Sequence, residues 1–430
     1  MTPSKSSLIT DFGWVFSGNV VYAACQWLIV LLFSKLGSPE QLGEYALGVA
    51  VVTPILVMAN LQIRALVASD VRDQYSFSQY LSFRGVTLAI AFLAVTGLVL
   101  ADKMSWHLRG IILVVGLGQV LEYVADAYYG LMQKCGRLDR ISRSAMIKGP
   151  FSLFALALLL YSTRDVFWAV GGLMVGRLLV VVAYDSRLRF TENCLMGAVA
   201  VRCEWDWNMM WRLLQTAWPF GVIALLASLN GNIPRYFIEH QAGTRSLGIF
   251  AALYSLVAMG TLFINAFGQS VFMPAALSYA ENDGPEFRRI IGRFTLMAAG
   301  LGVAAVVIAM LVGKQVLTLL YRPEYADRNL LVQLMVVGGI YWIATAQGYI
   351  LTAVRVLREQ IALLVCAVAI AAGGCAWLVP NQGAMGAAHA LQMSVAAQCV
   401  GGSILLWRAN RKIEKCAVIE NGYAASVELG

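Results

Sequence analysis

Charge is scarce in this 430-residue chain. Asp, Glu, Lys and Arg together make up 13% of it, hydrophobic residues make up 59%, and the mean hydropathy is +0.70. A soluble fold carries roughly 25% charged residues, so the balance excludes a water-soluble domain and makes lipid the solvent. Motifs are missing too. No GxxxxGK[ST] phosphate loop, HExxH helix or GxSxG elbow occurs, which removes the parts needed for ATP hydrolysis, metalloproteolysis and serine chemistry. The three histidines, His107, His240 and His389, are too scattered to pair as ligands, so neither a metal nor a cofactor is expected. The eight cysteines, Cys25, Cys135, Cys194, Cys203, Cys366, Cys375, Cys399 and Cys416, contain no CxxC pair and read as small packing residues. A cleavable leader is not expected either. Met1 to Asp11 holds a single lysine, and the long apolar run that follows has no small-residue cleavage site.

What is present is a series of long apolar segments. A bilayer core ~30 Å thick needs about 20 apolar residues per helix. Spans are therefore expected near 13–34, 43–66, 82–101, 108–132, 146–161, 166–184, 213–234, 247–273, 291–320, 330–353, 361–379 and 383–407. Positive charge alternates between the gaps. Of 32 Lys and Arg, 21 fall on the side that holds Lys5 and the 134–148 and 408–415 stretches, nine fall on the other, and Arg64 and Arg177 lie within spans. The positive-inside rule then puts both termini in the cytoplasm of a multi-pass protein. The net charge of +8 is thereby a topology signal rather than a nucleic-acid footprint, because the basic residues sit in short turns.

The longest stretch outside the spans, about 185–212, leaves no room for a catalytic domain, so transport is the class that remains and no enzyme is expected. Trp205, Trp207, Met209, Met210 and Trp211 beside Arg202 and Arg212 have the composition of a short interfacial helix, read here as a tether between two halves. The halves echo one another. Pro39-Glu40-Gln41-Leu42-Gly43-Glu44-Tyr45-Ala46 matches Gly243-Thr244-Arg245-Ser246-Leu247-Gly248-Ile249-Phe250-Ala251 at an offset of 205, and Arg84-Gly85-Val86-Thr87-Leu88 matches Arg293-Phe294-Thr295-Leu296. Two six-span repeats share an axis along the membrane normal and enclose a cavity suited to alternating access. The expected division is 1–200, 201–412 and a polar, disordered tail from 413 to 430.

These elements, with the exit from span four (Gly130-Leu131-Met132-Gln133-Lys134-Cys135-Gly136-Arg137) and the start of span twelve (Gly383-Ala384-Met385-Gly386-Ala387-Ala388), carry a resemblance. Over essentially the whole chain the sequence resembles Wzx-type flippases, the polysaccharide-transport branch of the multidrug/oligosaccharidyl-lipid/polysaccharide exporter superfamily. The resemblance implies an all-α, V-shaped bundle of two six-helix lobes in a bacterial inner membrane. It implies a substrate as well: undecaprenyl-pyrophosphate-linked oligosaccharide repeat units of O-antigen, capsule or exopolysaccharide, moved between leaflets alongside membrane lipids and other polysaccharide-assembly proteins.

A pyrophosphate in a low-dielectric interior must meet fixed cations, and arginine suits bidentate phosphate contact. Arg177 is about eleven residues into span six, near the midplane at ~1.5 Å per residue and too deep to snorkel; it faces the cavity or forms a structural ion pair. Arg64 closes span two, where it contacts substrate or snorkels. Arg84 and Arg293 open spans three and nine as pyrophosphate ligands or topology anchors, Lys148 before Pro150 reads as an anchor, and Arg235 follows Asn230, Asn232 and Pro234 as a release-side or headgroup contact. Asn265 and Gln269, with Thr261, form a stripe for sugar hydroxyls or for another helix. Glu122 and Asp126 share one face of span four. They form a proton or sodium site coupled to transport, or they pair with Arg177 or Arg64. Two other classes stay open. A multidrug or cation antiporter would want an acidic or apolar cavity, and a glycan polymerase would want a large outer loop.

Overall fold

The computed structural model describes residues 5–70, 74–185 and 206–428. Among the described residues there is no strand. The helices are α1 (Lys5–Leu36), α2 (Pro39–Asn60), α3 (Ile63–Ser69), α4 (Phe77–Ala101), α5 (Trp106–Lys134), α6 (Leu138–Thr163), α7 (Val166–Val180) continued by a π turn (Val181–Asp185), α8 (Trp207–Ala280), α9 (Gly284–Leu320), α10 (Arg328–Ala353) and α11 (Leu357–Glu428). Their starts follow local chemistry. Ser38 and Ser76 form capping boxes with Gln41 and Gln79, Ser105 accepts from the Leu108 amide, and Asp165, Asp283 and Asp327 cap α7, α9 and α10.

Among the described residues ten helices are long and apolar enough to cross a membrane. Two of these, α8 and α11, are 74 and 72 residues long and bend at Gly243 (φ 79°) and Gly383 (φ 54°), left-handed positions that favour glycine. Each bent helix holds two of the expected apolar segments, so the twelve segments of the sequence are present in ten helices. Burial is arranged as in a lipid-solvated protein. Leu296, Leu311 and Leu319 on α9 and Ile90 and Leu93 on α4 are exposed, whereas Arg84, Lys148 and Arg177 are buried. This is an all-α polytopic membrane protein.

The chain forms two compact units, Met1–Ser228 with Gly243–Ala252, and Leu229–Ala242 with Leu253–Gly430. In the first, α1 packs along α6, and α5 is flanked by α2, α3, α4 and α7. The two echoing elements meet there. A Cβ on Gly43 would overlap the Thr244 carbonyl, a Cβ on Gly248 would overlap the Pro39 carbonyl, and Arg245 Nη1 lies 2.8 Å from Glu40 Oε1, each partner 205 positions from its equivalent. In the second unit α10 packs between α9 and α11, with Asn230 and Ser394 hydrogen-bonded in its interior.

Several expectations change. Span two ends at Asn60, because Leu61 and Gln62 both take left-handed φ (47° and 52°), so Arg64 belongs to the separate α3. Arg84 and Lys148, read as sitting at span openings where topology anchors stand, are buried inside α4 and α6 with 0% and 2% exposure. Of the interfacial tether, Arg202 and Trp205 lie outside the described residues. Trp207–Arg212 are the first turns of α8, with Met209 and Met210 buried against Leu61, Phe77 and Phe83. The tail expected to be disordered continues α11 to Glu428.

Candidate functional site: a row of ion pairs along α5

Helix α5 sets the site. Glu122 and Asp126, one turn apart, project the same way, and two acids so placed repel unless cations lie between them. The first unit supplies four. Lys148 Nζ on α6 donates to Glu122 Oε2 at 2.6 Å, and Arg177 Nε on α7 lies 3.1 Å from Glu122 Oε1, which also accepts from the Tyr22 hydroxyl on α1. Asp126 is reached by Arg84 Nη2 at 3.4 Å and Arg64 Nη1 at 3.5 Å.

The two pairs differ in access. Lys148 and Arg177 are buried, and Lys148 also donates to the Tyr129 hydroxyl at 3.2 Å, which is 2.7 Å from Ser144 Oγ. At Asp126, Arg84 is fully buried while the Arg64 side chain is 37% exposed, so one wall of that cluster is open. The broken end of α2 explains the Arg84 position. Its C-terminal carbonyls have no intrahelical partners, and Arg84 Nη1 donates to Asn60 O at 2.7 Å and to the Asn60 side-chain oxygen. Helix α3 then carries Arg64 back over the Tyr129 ring at 5.8 Å, with Nε donating to Gln133 Oε1 at 3.2 Å.

Each of these pairs is held against a large desolvation cost. Removing an ion from water costs several kcal/mol, which attraction offsets only when every charge has close partners. With two cations per carboxylate, this row of charges carries more positive than negative charge.

Five of the nine candidate residues, Arg64, Arg84, Glu122, Asp126 and Arg177, are thus brought together, and Lys148, Tyr22, Tyr129 and Asn60 join them. Lys148 and a buried hydroxyl share a signal in the sequence. Ser144, Lys148 and Ser152 recur every four residues along one face of α6, and all three are buried. The other four candidates belong to the second unit. Arg235 Nη1 donates to Asn232 Oδ1 at 3.0 Å and its guanidinium lies 5.4 Å from the Tyr254 ring centre. Asn265 accepts from the Tyr349 hydroxyl at 3.3 Å, Thr261 accepts from Trp342 Nε1 at 3.1 Å, and Gln269 and Arg293 are exposed. Asn265 and Thr261 therefore join α8 to α10. Among the described residues no group of three His, Cys, Asp or Glu could hold a metal.

Comparison with known proteins agrees with this fold. Residues 8–279 match the family model described as polysaccharide biosynthesis protein. The capsular polysaccharide biosynthesis protein CapF of Staphylococcus aureus is 25% identical over 348 residues, covering 78% of this chain and 82% of the relative. Among solved structures, an inward-facing multidrug resistance MATE family transporter of the MOP superfamily superposes with a TM-score of 0.72 at 14% identity, over 92% of this chain and 95% of its own. A MOP superfamily transporter from Pyrococcus furiosus, described as having a binding pocket of reversed polarity, superposes at 0.65 with 12% identity, over 96% and 99%. The chain has the fold of a MOP-type membrane transporter and belongs to the polysaccharide biosynthesis protein family.

Proposed function

We propose that this protein is a flippase that carries undecaprenyl-pyrophosphate-linked oligosaccharide repeat units from the cytoplasmic to the outer leaflet of a bacterial inner membrane, by alternating access coupled to an ion gradient. The observation that carries this reading is the cation excess along α5, above all the half-open Asp126 cluster. A pyrophosphate offers more acceptor oxygens than one carboxylate and suits the fork of an arginine. Arg64 and Arg84 can exchange Asp126 for pyrophosphate without leaving a buried charge unpaired, and Arg177 and Lys148 do the same deeper in the unit with Glu122. Release of either carboxylate by the arriving anion frees it to take up a proton or sodium, which links substrate to ion. The antiporter alternative is disfavoured by the same geometry, since each acid is already matched by two cations.

The test is mass spectrometry of lipid extracts from cells lacking the gene. Accumulated lipid-linked oligosaccharide is expected, cleared by the plasmid-borne wild-type gene, but not by Arg64→Ala or Arg177→Ala. Absence of any such lipid would move the assignment to export of drugs or ions.

A further inference from the structure

The first unit contains polar groups that glycan binding does not use. On the side where α2, α5 and α7 begin, a cavity of ≈ 120 Å³ is lined by Gln26, Tyr45, Gly118, Gln119, Met174 and Arg177 among others. A water molecule needs on the order of 10–15 Å³ by this measure, so there is room for several, and amide, hydroxyl and guanidinium groups favour a wet cavity over a dry one. Arg177 Nη1 lies beside Gly118 at this cavity, while its Nε faces Glu122. Beyond Glu122 the groups continue in steps of hydrogen-bond length: 2.6 Å to Lys148 Nζ, 3.2 Å to the Tyr129 hydroxyl and 2.7 Å to Ser144 Oγ.

Asp185 stands next in line. It ends the π turn after α7, eight residues beyond Arg177 and so ~12 Å further along the axis. It is fully buried, with Ser144 placed to hydrogen-bond its carboxylate and Lys148, Glu122, Tyr128, Tyr129 and Tyr184 around it. π turns also concentrate at functional positions.

We propose that Asp185 is the second carboxyl of a proton relay contained within this unit, with protons passing between the cavity at Arg177 and Asp185 through Glu122, Lys148, Tyr129 and Ser144. The inference rests on Glu122 being the coupling carboxyl and makes the coupling ion a proton. In one transfer the Lys148 ammonium gives a proton to the Tyr129 oxygen, the Tyr129 hydroxyl proton moves to Ser144, and the Ser144 proton moves to the Asp185 carboxylate. Lys148 is then reprotonated by the Glu122 carboxylic acid. Glu122 ends ionised, Asp185 ends protonated, and the three groups between them are restored.

The test is infrared spectroscopy of the full-length protein in phospholipid nanodiscs, reading the carbonyl stretch of protonated carboxyls during a pH titration and its shift on transfer to D2O. One band is expected, lost in Asp185→Asn, because Glu122 stays ionised between Lys148 and Arg177 until an anion displaces it. Tyr129→Phe and, independently, Ser144→Ala should slow the deuterium exchange of one carboxyl about a hundredfold, the lower end of what a positioned proton donor contributes. The proposal is overturned if Asp185→Asn leaves the carbonyl region unchanged, or if both hydroxyl variants exchange at the wild-type rate. The hydroxyl variants are near-isosteric, so the exchange measurement stands even where Asp185→Asn fails to fold. Neither readout involves a glycan. Loss of the relay while the deletion strain still accumulates lipid-linked oligosaccharide overturns the relay alone, and the converse overturns the flippase reading alone.

Discussion

At the scale of single residues, the molecule depends on charges that have exchanged water for one another. Lys148 is the sharpest case, because it is 2% exposed and its ammonium touches Glu122 and Tyr129. Replacing one member of such a pair leaves the other charge buried alone, which costs about 3–5 kcal/mol, whereas replacing both removes the problem. Lys148→Met should therefore lower the melting temperature in detergent markedly, and Lys148→Met combined with Glu122→Gln should melt closer to wild type than the sum of the single changes. Additive losses would mean that the pair contributes nothing as a pair. The spacing of Glu122 and Asp126 was legible in the sequence, since helical geometry alone puts residues four apart on one face. The partners Arg84 and Lys148 were not. A cation near the end of an apolar segment reads the same whether its side chain reaches water or turns inward, and the choice is made by a carboxylate on another helix.

At the scale of elements, breaks and close contacts matter more than the helices themselves. The turn at Leu61 and Gln62 gives Arg84 a carbonyl to bind and turns Arg64 back onto α5. Just beyond it Asp70 accepts from the Gln74 and Tyr75 amides at 3.0 and 3.2 Å and from the Tyr80 hydroxyl at 3.1 Å. Partial burial pushes this carboxyl up, but the three hydrogen bonds outweigh it and hold the group below the ordinary aspartate range. A depressed carboxyl stabilises the fold above its unfolded-state value and loses that contribution as pH falls through its folded value. The protection of amides 74–80 relative to their intrinsic exchange rates should therefore be lower in acid than at neutral pH, and Asp70→Asn should abolish that difference. Where the two echoing elements cross, Gly43→Leu should lower thermal stability by forcing α2 away from the Thr244 carbonyl. The exposed Glu40 and Arg245 pair should contribute only about 0.2–1 kcal/mol in a double-mutant cycle and fade with salt.

At the scale of the whole molecule, apolar side chains face outward and charges face inward, as a fold dissolved in lipid requires. The alternation of basic loops supports an orientation that labelling can check. In a variant without native cysteines, Arg140→Cys should resist a membrane-impermeant maleimide in intact cells, and Thr163→Cys should react. The reverse pattern would invert the topology and with it the direction of transport.

The sequence alone determined the class of solvent, the apolar segments and the internal echo at an offset of 205, because each depends on composition or on short local patterns. Only the tertiary structure decided that Arg177 and Lys148 share Glu122, that Arg64 and Arg84 share Asp126, that α8 and α11 run on through their glycine bends, and that Asp185 lies buried beyond Ser144. The physical reason is range. Hydropathy and capping act along the chain, whereas a buried charge is tolerated only where helices far apart in sequence bring its counter-charges within about 4 Å.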